Sequence, residues 1–281
     1  MKAVLEIRNL SAVSAAGPIL RNVSIAVRKG DVMALVGESG AGKSAIAKAV
    51  LGILPAAIKI TDGEILFDGE DLLKLSPQRI RQLLGVRIAL IPQDPLTSLN
   101  PSRRIGVQLT DGLRLRAGLS NVVANTRALA LLNDVQIRDP QRVLMCYPHE
   151  LSGGMRQRVL IAQAFSLNPQ MIIADEPTTA LDVTVQKQVL SLIRQLQRNY
   201  ATTLLFITHD LGVVAQICDH MTVLYGGKVL EQGKTADVLK TPAHQYTRAL
   251  LAANPRYDQP RQSLKPISEA LIAELKREIS V

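Results

Sequence analysis

The sequence predicts an α/β protein in which helices cover a mainly parallel β-sheet. Two short segments, residues 32–36 and 171–174, are wholly apolar, as expected of strands that are buried on both faces. Residues 184–197 show helical periodicity instead. A glycine-rich loop connects the first apolar segment to a predicted helix at residues 45–54. Because strands alternate with helices along the chain, the sheet is expected to be parallel.

The remaining strands are predicted from two kinds of pattern. Near the N-terminus, residues 23–28 and 64–69 alternate apolar with polar or small side chains, which is typical of half-buried strands. Three more apolar segments predict buried strands at residues 87–91, 203–208 and 221–225.

The predicted organisation is one domain, residues 1–250, followed by a short tail, residues 251–281. A mostly helical insert at about residues 96–168 interrupts the alternation of strands and helices. The tail ends in an amphipathic pattern, which predicts a surface helix packed on the body of the protein. A helix that binds a partner protein is the alternative. The apolar residues of this pattern are spaced by four: Ile267, Leu271, Leu275 and Ile279.

The composition of the 281-residue chain is that of an ordinary globular protein, with 47% apolar and 20% charged residues. This argues against disordered, collagen-like and coiled-coil proteins. Aromatic residues make up only 3%, which argues against a protein that stacks single-stranded nucleic acid on aromatic rings. The net charge of +9 favours anionic partners, which include nucleotides, nucleic acid and anionic membrane surfaces.

Neither a signal peptide nor a membrane-spanning helix is expected. Residues 1–10 contain Glu6 and Arg8 and no long apolar run. No segment has the roughly 18 consecutive apolar residues of a spanning helix, so the chain is expected to be soluble. Cys146 and Cys218 lie far apart and belong to no C-x-x-C pair, which argues for reduced thiols rather than a disulfide or a zinc site.

Residues 37–44 fit the pattern G-x-x-x-x-G-K-[ST] between a buried strand and a helix. Glycines let successive backbone N–H groups turn towards a phosphate, and the N-terminus of the following helix adds a positive dipole. The lysine of such a loop reaches the β- and γ-phosphates, and its serine offers a hydroxyl to Mg²⁺. The loop therefore predicts nucleotide binding by Gly37, Glu38, Ser39, Gly40, Ala41, Gly42, Lys43 and Ser44.

Two carboxylates, Asp175 and Glu176, follow the apolar segment 171–174. The C-terminal ends of strands are where α/β sheets place their ligands. Asp175 is expected to hold Mg²⁺, through a water molecule, and Glu176 to polarise an attacking water as a general base. An ordinary acidic loop is the alternative, and the presence of the phosphate loop makes it less favourable.

Four further motifs carry a family resemblance. Residues 151–155 read Leu-Ser-Gly-Gly-Met; Gln93 follows an apolar strand; Asp182 ends an Ala-Leu-Asp triplet; and His209 stands in Ile-Thr-His-Asp. These four motifs resemble, respectively, the signature loop, Q-loop, D-loop and switch histidine of ABC-type ATPases. The phosphate loop and the acidic pair belong to the same resemblance. The amino-acid sequence is also similar to that of the bacterial peptide/nickel importer subfamily at residues 93–101, 147–158, 174–182 and 244–250.

The resemblance implies a P-loop NTPase (RecA-like) core with an N-terminal antiparallel β subdomain and an inserted α-helical subdomain. It implies that Glu176, His209 and Gln93 are catalytic, with His209 contacting the γ-phosphate. Ser44, Gln93 and Asp175 would be the ligands of Mg²⁺. The signature turn and the D-loop would meet ATP that is bound to a second ATPase, through Ser152, Gly153, Gly154 and Asp182.

The resemblance also implies partners and a location. The partners are two membrane permease subunits, a second ABC ATPase that is a paralogue, and, indirectly, an extracellular substrate-binding protein; no nucleic acid is expected. The chain would lie peripherally at the cytoplasmic face of a bacterial inner (plasma) membrane. ATP and Mg²⁺ are the implied cofactors. Because no cysteine follows Cys218, the iron–sulfur cluster that peptide-importing relatives often carry is not expected.

The cargo has two candidate classes. Residues 52–55, Gly-Ile-Leu-Pro, fit the nickel branch, and the short tail without cysteine favours nickel or another metal chelate. Import of di- or oligopeptides by the same mechanism is the alternative. A nucleic-acid-associated ABC ATPase and a small-molecule P-loop kinase are less favoured, because the former usually has tandem cassettes, arms or zinc pairs and the latter needs no signature loop.

One departure from the family concerns the adenine site. The family usually stacks adenine on an aromatic residue about two dozen positions before the phosphate loop. Residues 13–16 read Val-Ser-Ala-Ala, so Val13 is left as the candidate for an apolar contact.

Overall fold

The computed structural model describes residues 3–179, 181–253 and 268–280, without the side chains of Leu96, Lys276 and Ser280. Ala180 of the Ala-Leu-Asp triplet and Ile267 of the tail pattern lie outside the described residues. The described strands are β1 (Ala3–Ser14), β2 (Gly17–Arg28), β3 (Val32–Val36), β4 (Lys59–Phe67), β5 (Glu70–Asp71), β6 (Ile88–Ile91), β7 (Met171–Asp175), β8 (Thr203–Thr208), β9 (His220–Tyr225) and β10 (Lys228–Lys234). The described helices are α1 (Lys43–Val50), α2 (Pro77–Leu83), α3 (Pro95–Ser98), α4 (Ile105–Leu115), α5 (Asn121–Asp134), α6 (Pro140–Met145), α7 (Gly153–Phe165), α8 (Val183–Tyr200), α9 (Leu211–Ile217), α10 (Thr235–Lys240), α11 (Gln245–Ala253) and α12 (Glu269–Ser280).

The chain divides into two compact units. The first unit comprises residues 1–75 and 205–281, and the second comprises residues 76–204. The phosphate loop and His209 belong to the first unit, whereas Gln93, the signature turn and the acidic pair belong to the second.

The first unit contains an antiparallel sheet and a set of strands around β3. β1 pairs antiparallel with both β2 and β4, so that Ile7 faces Ile25 on one side and Ile65 on the other. β3 pairs in parallel with β9, which pairs antiparallel with β10. All five residues of β3 are buried, which confirms the predicted strand that leads into the phosphate loop.

In the second unit, β6 and β7 form a parallel pair that runs in register from Ile88 opposite Met171 to Ile91 opposite Ala174. Parallel strands have their carboxyl ends at the same edge of a sheet. The segments that follow β6 and β7 therefore begin side by side. Helices α3 to α7 occupy most of the residues between these two strands, as expected for a helical insert.

The predicted elements largely coincide with the observed ones, but the first helix is shorter. It was expected over residues 45–54, whereas α1 covers Lys43–Val50. The chain leaves the helix at Leu51, and Gly52 takes a left-handed conformation with φ +63°. A left-handed glycine directly after a helix is a common helix terminator.

The tail helix packs on the body of the first unit. Leu275 of α12 is fully buried, and Nζ of Lys228 donates a 3.3 Å hydrogen bond to the carbonyl oxygen of Glu278. The Ile279 side chain lies against Gly226, where a Cβ atom would come within 2.5 Å of its Cδ1. These contacts confirm the prediction of a helix packed on the body.

Among the described residues, none of the helices combines the length and the apolar character needed to cross a bilayer. Within the described part of the chain, Cys146 and Cys218 form no disulfide, and Cys218 is buried.

Candidate nucleotide-binding site

The phosphate loop joins β3 to α1, and Lys43 is the first residue of that helix. Its Nζ donates hydrogen bonds of 2.7 Å to the carbonyl oxygen of Gly37 and 2.8 Å to that of Glu38. The backbone amide of Ala41 also donates to the Glu38 carbonyl, at 3.1 Å. The lysine is 6% exposed, so its ammonium is held at the loop itself. Ser44 follows it on the exposed side of the first helical turn. The loop thus presents a cation and a hydroxyl at the N-terminus of α1, and their contacts with phosphate and Mg²⁺ stay predictions.

Gly37 lies so close to β9 that no side chain fits there. A Cβ atom at this position would fall well inside van der Waals contact of the Leu224 carbonyl oxygen, a rigid backbone atom. We expect Gly37→Ala to lower the free energy of unfolding by about 1–3 kcal/mol, because overpacking displaces the backbone. The displaced loop should also bind ATP more weakly. Thermal unfolding and equilibrium binding of MgATP measure the two effects.

The matched control is Gly30→Ala. Gly30 also has a positive φ, +79°, but a Cβ atom added there would meet nothing within 4 Å. The control therefore carries the backbone strain of an alanine at positive φ without the collision. Equal losses of stability in the two variants, with unchanged ATP binding in both, would contradict the role assigned to the close approach at Gly37.

The phosphate loop also borders the C-terminal region of the chain. Tyr246 of α11 is fully buried, and its ring lies 4.8 Å from the ring of Tyr225, measured between centroids. Burial raises the pKa of Tyr246 far above its ordinary value, and the Glu38 carboxylate raises it further. The phenol therefore remains neutral beside the loop.

His209 follows the buried strand β8 and is exposed. The next residue, Asp210, caps α9: its Oδ1 accepts hydrogen bonds from the amides of Gly212 at 2.8 Å and Val213 at 3.2 Å. The backbone amide of Asp210 donates to Oγ1 of Thr208 at 3.0 Å. The end of β8 and the cap of α9 together fix the backbone on either side of His209.

Gln93 and Glu176 meet in the second unit. Nε2 of Gln93 donates a 3.2 Å hydrogen bond to Oε2 of Glu176, and Oγ1 of Thr179 donates to the same oxygen at 3.0 Å. The parallel pairing of β6 and β7 brings the two residues together, since each follows one of these strands. Sequence reasoning had no role for Thr179; its position three residues after Glu176, within one turn, was the available signal.

The backbone of Glu176 has an unusual conformation, with φ +45°. Non-glycine residues rarely occupy this left-handed region, and they cost of order 1–3 kcal/mol there unless the surroundings compensate. Asp175, the last residue of β7, keeps ordinary extended geometry. Such conformations cluster at functional sites, which agrees with the role predicted for Glu176.

The signature turn forms the N-terminus of α7. Oγ of Ser152 caps the helix by accepting a 3.3 Å hydrogen bond from the amide of Met155. A Cβ atom on Gly153 would meet nothing within 4 Å, and one on Gly154 would lie 3.5 Å from Cγ1 of Val185 in α8. The turn therefore presents small residues and a helix N-terminus, the features that favour an anion.

Asp182 has a local role that the resemblance did not imply. Its Oδ1 caps α8 by accepting hydrogen bonds from the amides of Thr184 at 3.0 Å and Val185 at 2.9 Å. Because Val185 borders Gly154, the start of α8 adjoins the signature turn in the second unit.

Val13, the candidate for an apolar contact with adenine, lies in the hairpin between β1 and β2. Val13 lies near the end of β1 opposite Pro18 and is half-buried. Oγ of Ser14 closes the turn by donating to the carbonyl oxygen of Gly17 at 3.2 Å. An adenine contact at Val13 stays a prediction.

Two family models and several characterised proteins match the chain. A family model described as ABC transporter matches residues 20–179, and a model described as Oligopeptide/dipeptide transporter, C-terminal region, matches residues 230–278. The Probable D,D-dipeptide transport ATP-binding protein DdpD of Escherichia coli (strain K12) is 49% identical over 249 residues, which are 88% of this chain and 76% of that protein. The Dipeptide transport ATP-binding protein DppD of Bacillus subtilis (strain 168) is 44% identical over 272 residues, 95% of this chain and 81% of that protein.

Solved structures show the same similarity. An ATP-binding cassette determined as a dimer in a post-hydrolysis state, bound to ADP and phosphate, matches with a TM-score of 0.72 and 26% identity. The match covers 82% of this chain and 98% of that one.

Proposed function

The chain belongs to the ABC transporter family, in which ATP hydrolysis is coupled to transport, and on that premise we propose that it powers the import of small peptides. The main support for a peptide cargo is the match of residues 230–278 to the C-terminal region of oligopeptide and dipeptide transporters. The names of the DdpD and DppD relatives, which describe dipeptide transport, support the same cargo class. These relatives favour the peptide alternative over the nickel cargo that the sequence analysis preferred.

The proposed reaction is in-line attack of water on the γ-phosphate of ATP. Lys43, held at the phosphate loop by two carbonyl oxygens, offsets the charge that develops on the phosphoryl oxygens. Glu176 accepts the proton of the water, and Gln93 and Thr179 orient its carboxylate by their hydrogen bonds. His209 contacts the γ-phosphate from the end of β8.

Magnesium suits the donors that the chain offers. The hydroxyl of Ser44, the amide oxygen of Gln93 and the carboxylate of Asp175 are oxygen ligands, the kind that Mg²⁺ prefers. We assign these residues to the metal, which when bound neutralises charge on the phosphates.

Hydrolysis would require a second ATPase. Ser152, Gly153 and Gly154 form an anion-binding turn that would meet ATP held by that partner, a paralogue of this chain. The dimeric state of the ADP-bound cassette supports this arrangement. ATP favours the closed dimer and ADP the open one, so that hydrolysis drives two attached permease subunits between two states. The complex would lie at the cytoplasmic face of a bacterial inner membrane and receive cargo from an extracellular binding protein.

Uptake measurements test the proposed cargo. In cells that lack this chain, uptake of a radiolabelled dipeptide should fall to background and return when the chain is supplied, whereas ⁶³Ni²⁺ uptake should not change. Loss and recovery of nickel uptake, with unchanged dipeptide uptake, would contradict the peptide assignment and restore the nickel alternative.

A further inference from the structure

A buried glutamine links the signature helix to the segment that carries the catalytic carboxylate. Gln157 lies in the second turn of α7 and is 1% exposed. Its Nε2 donates a 2.7 Å hydrogen bond to the carbonyl oxygen of Pro177, the residue directly after Glu176. Both partners belong to the second unit. The bond therefore ties the helix that starts at the Ser152 turn to the backbone beside Glu176.

The backbone at Glu176 needs such support. Its φ of +45° is a strained conformation, and strained conformations persist only where the surroundings over-determine them. The hydrogen bonds from Gln93 and Thr179 hold the carboxylate. The backbone amide of Thr179 donates a 3.3 Å hydrogen bond to the Glu176 carbonyl oxygen, and the Gln157 side chain holds the next carbonyl oxygen, that of Pro177.

The connection from the signature turn to Pro177 is short and rigid. Ser152 and Gln157 are five residues apart, or about 7.5 Å along a helix axis. Val159, Ile161 and Ala162 of the same helix are fully buried, so α7 moves as a packed body. A displacement of its N-terminus is thus transmitted to Pro177 without an intervening flexible segment.

We propose that Gln157 is a positioning residue for ATP hydrolysis, which couples the signature turn to the placement of Glu176. The proposal rests on the role proposed above for Glu176. In the dimer, the turn faces ATP of the partner ATPase, whereas Glu176 acts on ATP of its own chain. The Gln157–Pro177 hydrogen bond then links the occupancy of one ATP site to the placement of the general base Glu176 at the other.

The variant Gln157→Met tests this role, because methionine resembles glutamine in length but cannot donate the hydrogen bond. In the assembled transporter, we expect kcat for ATP to fall about 10-fold, the effect of one buried hydrogen bond. The KM for ATP should change less than about twofold, because the phosphate loop that binds the nucleotide is unaltered. ATPase assays across a range of ATP concentrations separate the two constants.

Gln197→Met provides a matched control. Gln197 of α8 is 4% exposed, and its Nε2 donates a 3.0 Å hydrogen bond to the carbonyl oxygen of Thr202, away from the motifs. Both variants should lower the melting temperature to a similar extent, but Gln197→Met should leave kcat unchanged. Equal kcat in the two variants at equal melting temperature would overturn the proposal.

If Gln157→Met does not fold, Gln157→Asn decides, since it keeps the amide but is too short to reach Pro177. A normal kcat in a folded Gln157→Asn variant would also overturn the proposal. Failure of the proposed function has a different signature: the transporter with the unchanged chain would hydrolyse no ATP, or Glu176→Gln would hydrolyse it normally.

Discussion

Replacing Glu176 with glutamine is expected to lower kcat for ATP about 10²- to 10⁴-fold, the usual contribution of a general base. The amide cannot accept a proton from the attacking water. It has nearly the shape of the carboxylate, so the hydrogen bond from Thr179 to the Glu176 side chain can be kept. ATP binding should therefore remain, and the variant should accumulate as an ATP-bound dimer with the partner ATPase. Steady-state ATPase assays, and size-exclusion chromatography of the two ATPases together with MgATP, measure both consequences.

Glu64→Gln is the control for this variant. Glu64 pairs with Arg8 on the antiparallel sheet, 2.9 Å away, and belongs to none of the motifs. The Glu64→Gln substitution removes the same charge as Glu176→Gln and should leave both hydrolysis and the oligomeric state unchanged. A Glu176→Gln variant that binds ATP, does not assemble with the partner ATPase and hydrolyses at the normal rate would contradict the mechanism.

Replacing Lys43 with alanine should weaken ATP binding on the order of 10²-fold, because charge-assisted hydrogen bonds to phosphate are lost. The effect should extend to ADP, since the loop is expected to hold the β-phosphate as well as the γ-phosphate. Isothermal titration of the full chain with MgATP and with MgADP measures it.

Lys48→Ala is the comparison, because Lys48 is an exposed lysine of the same helix. The Lys48→Ala variant should bind both MgATP and MgADP normally. Normal nucleotide binding by Lys43→Ala would show that the loop is not the phosphate site.

Much of the fold could be predicted because its central strands are encoded locally. β3, β7 and β8 are continuous apolar segments, and the observed strands match the predicted ones to within one residue. β1 was harder to predict, since Asn9 adopts φ +52° and the pairing register shifts between Ile7 and Leu10. Such a bulge interrupts the alternation of side chains from which a strand is predicted.

The candidate site could be predicted in its residue types but not in its contacts. Separate motifs predicted Gln93 and Glu176 as site residues. The parallel pairing of β6 and β7 brings the two side chains into hydrogen-bonding contact. The left-handed backbone at Glu176 and the bond from Gln157 to Pro177 depend on partners distant in sequence. No local pattern encodes these partners, so the structure was needed to find them.

The ATPase activity of the complete transporter, reconstituted in proteoliposomes with its extracellular binding protein, tests the proposed function most directly. We expect a dipeptide-loaded binding protein to stimulate hydrolysis several-fold over the unloaded protein, and Glu176→Gln to abolish the stimulated rate. Stimulation by Ni²⁺ but not by any dipeptide, or a stimulated rate that survives in Glu176→Gln, would contradict the proposed function.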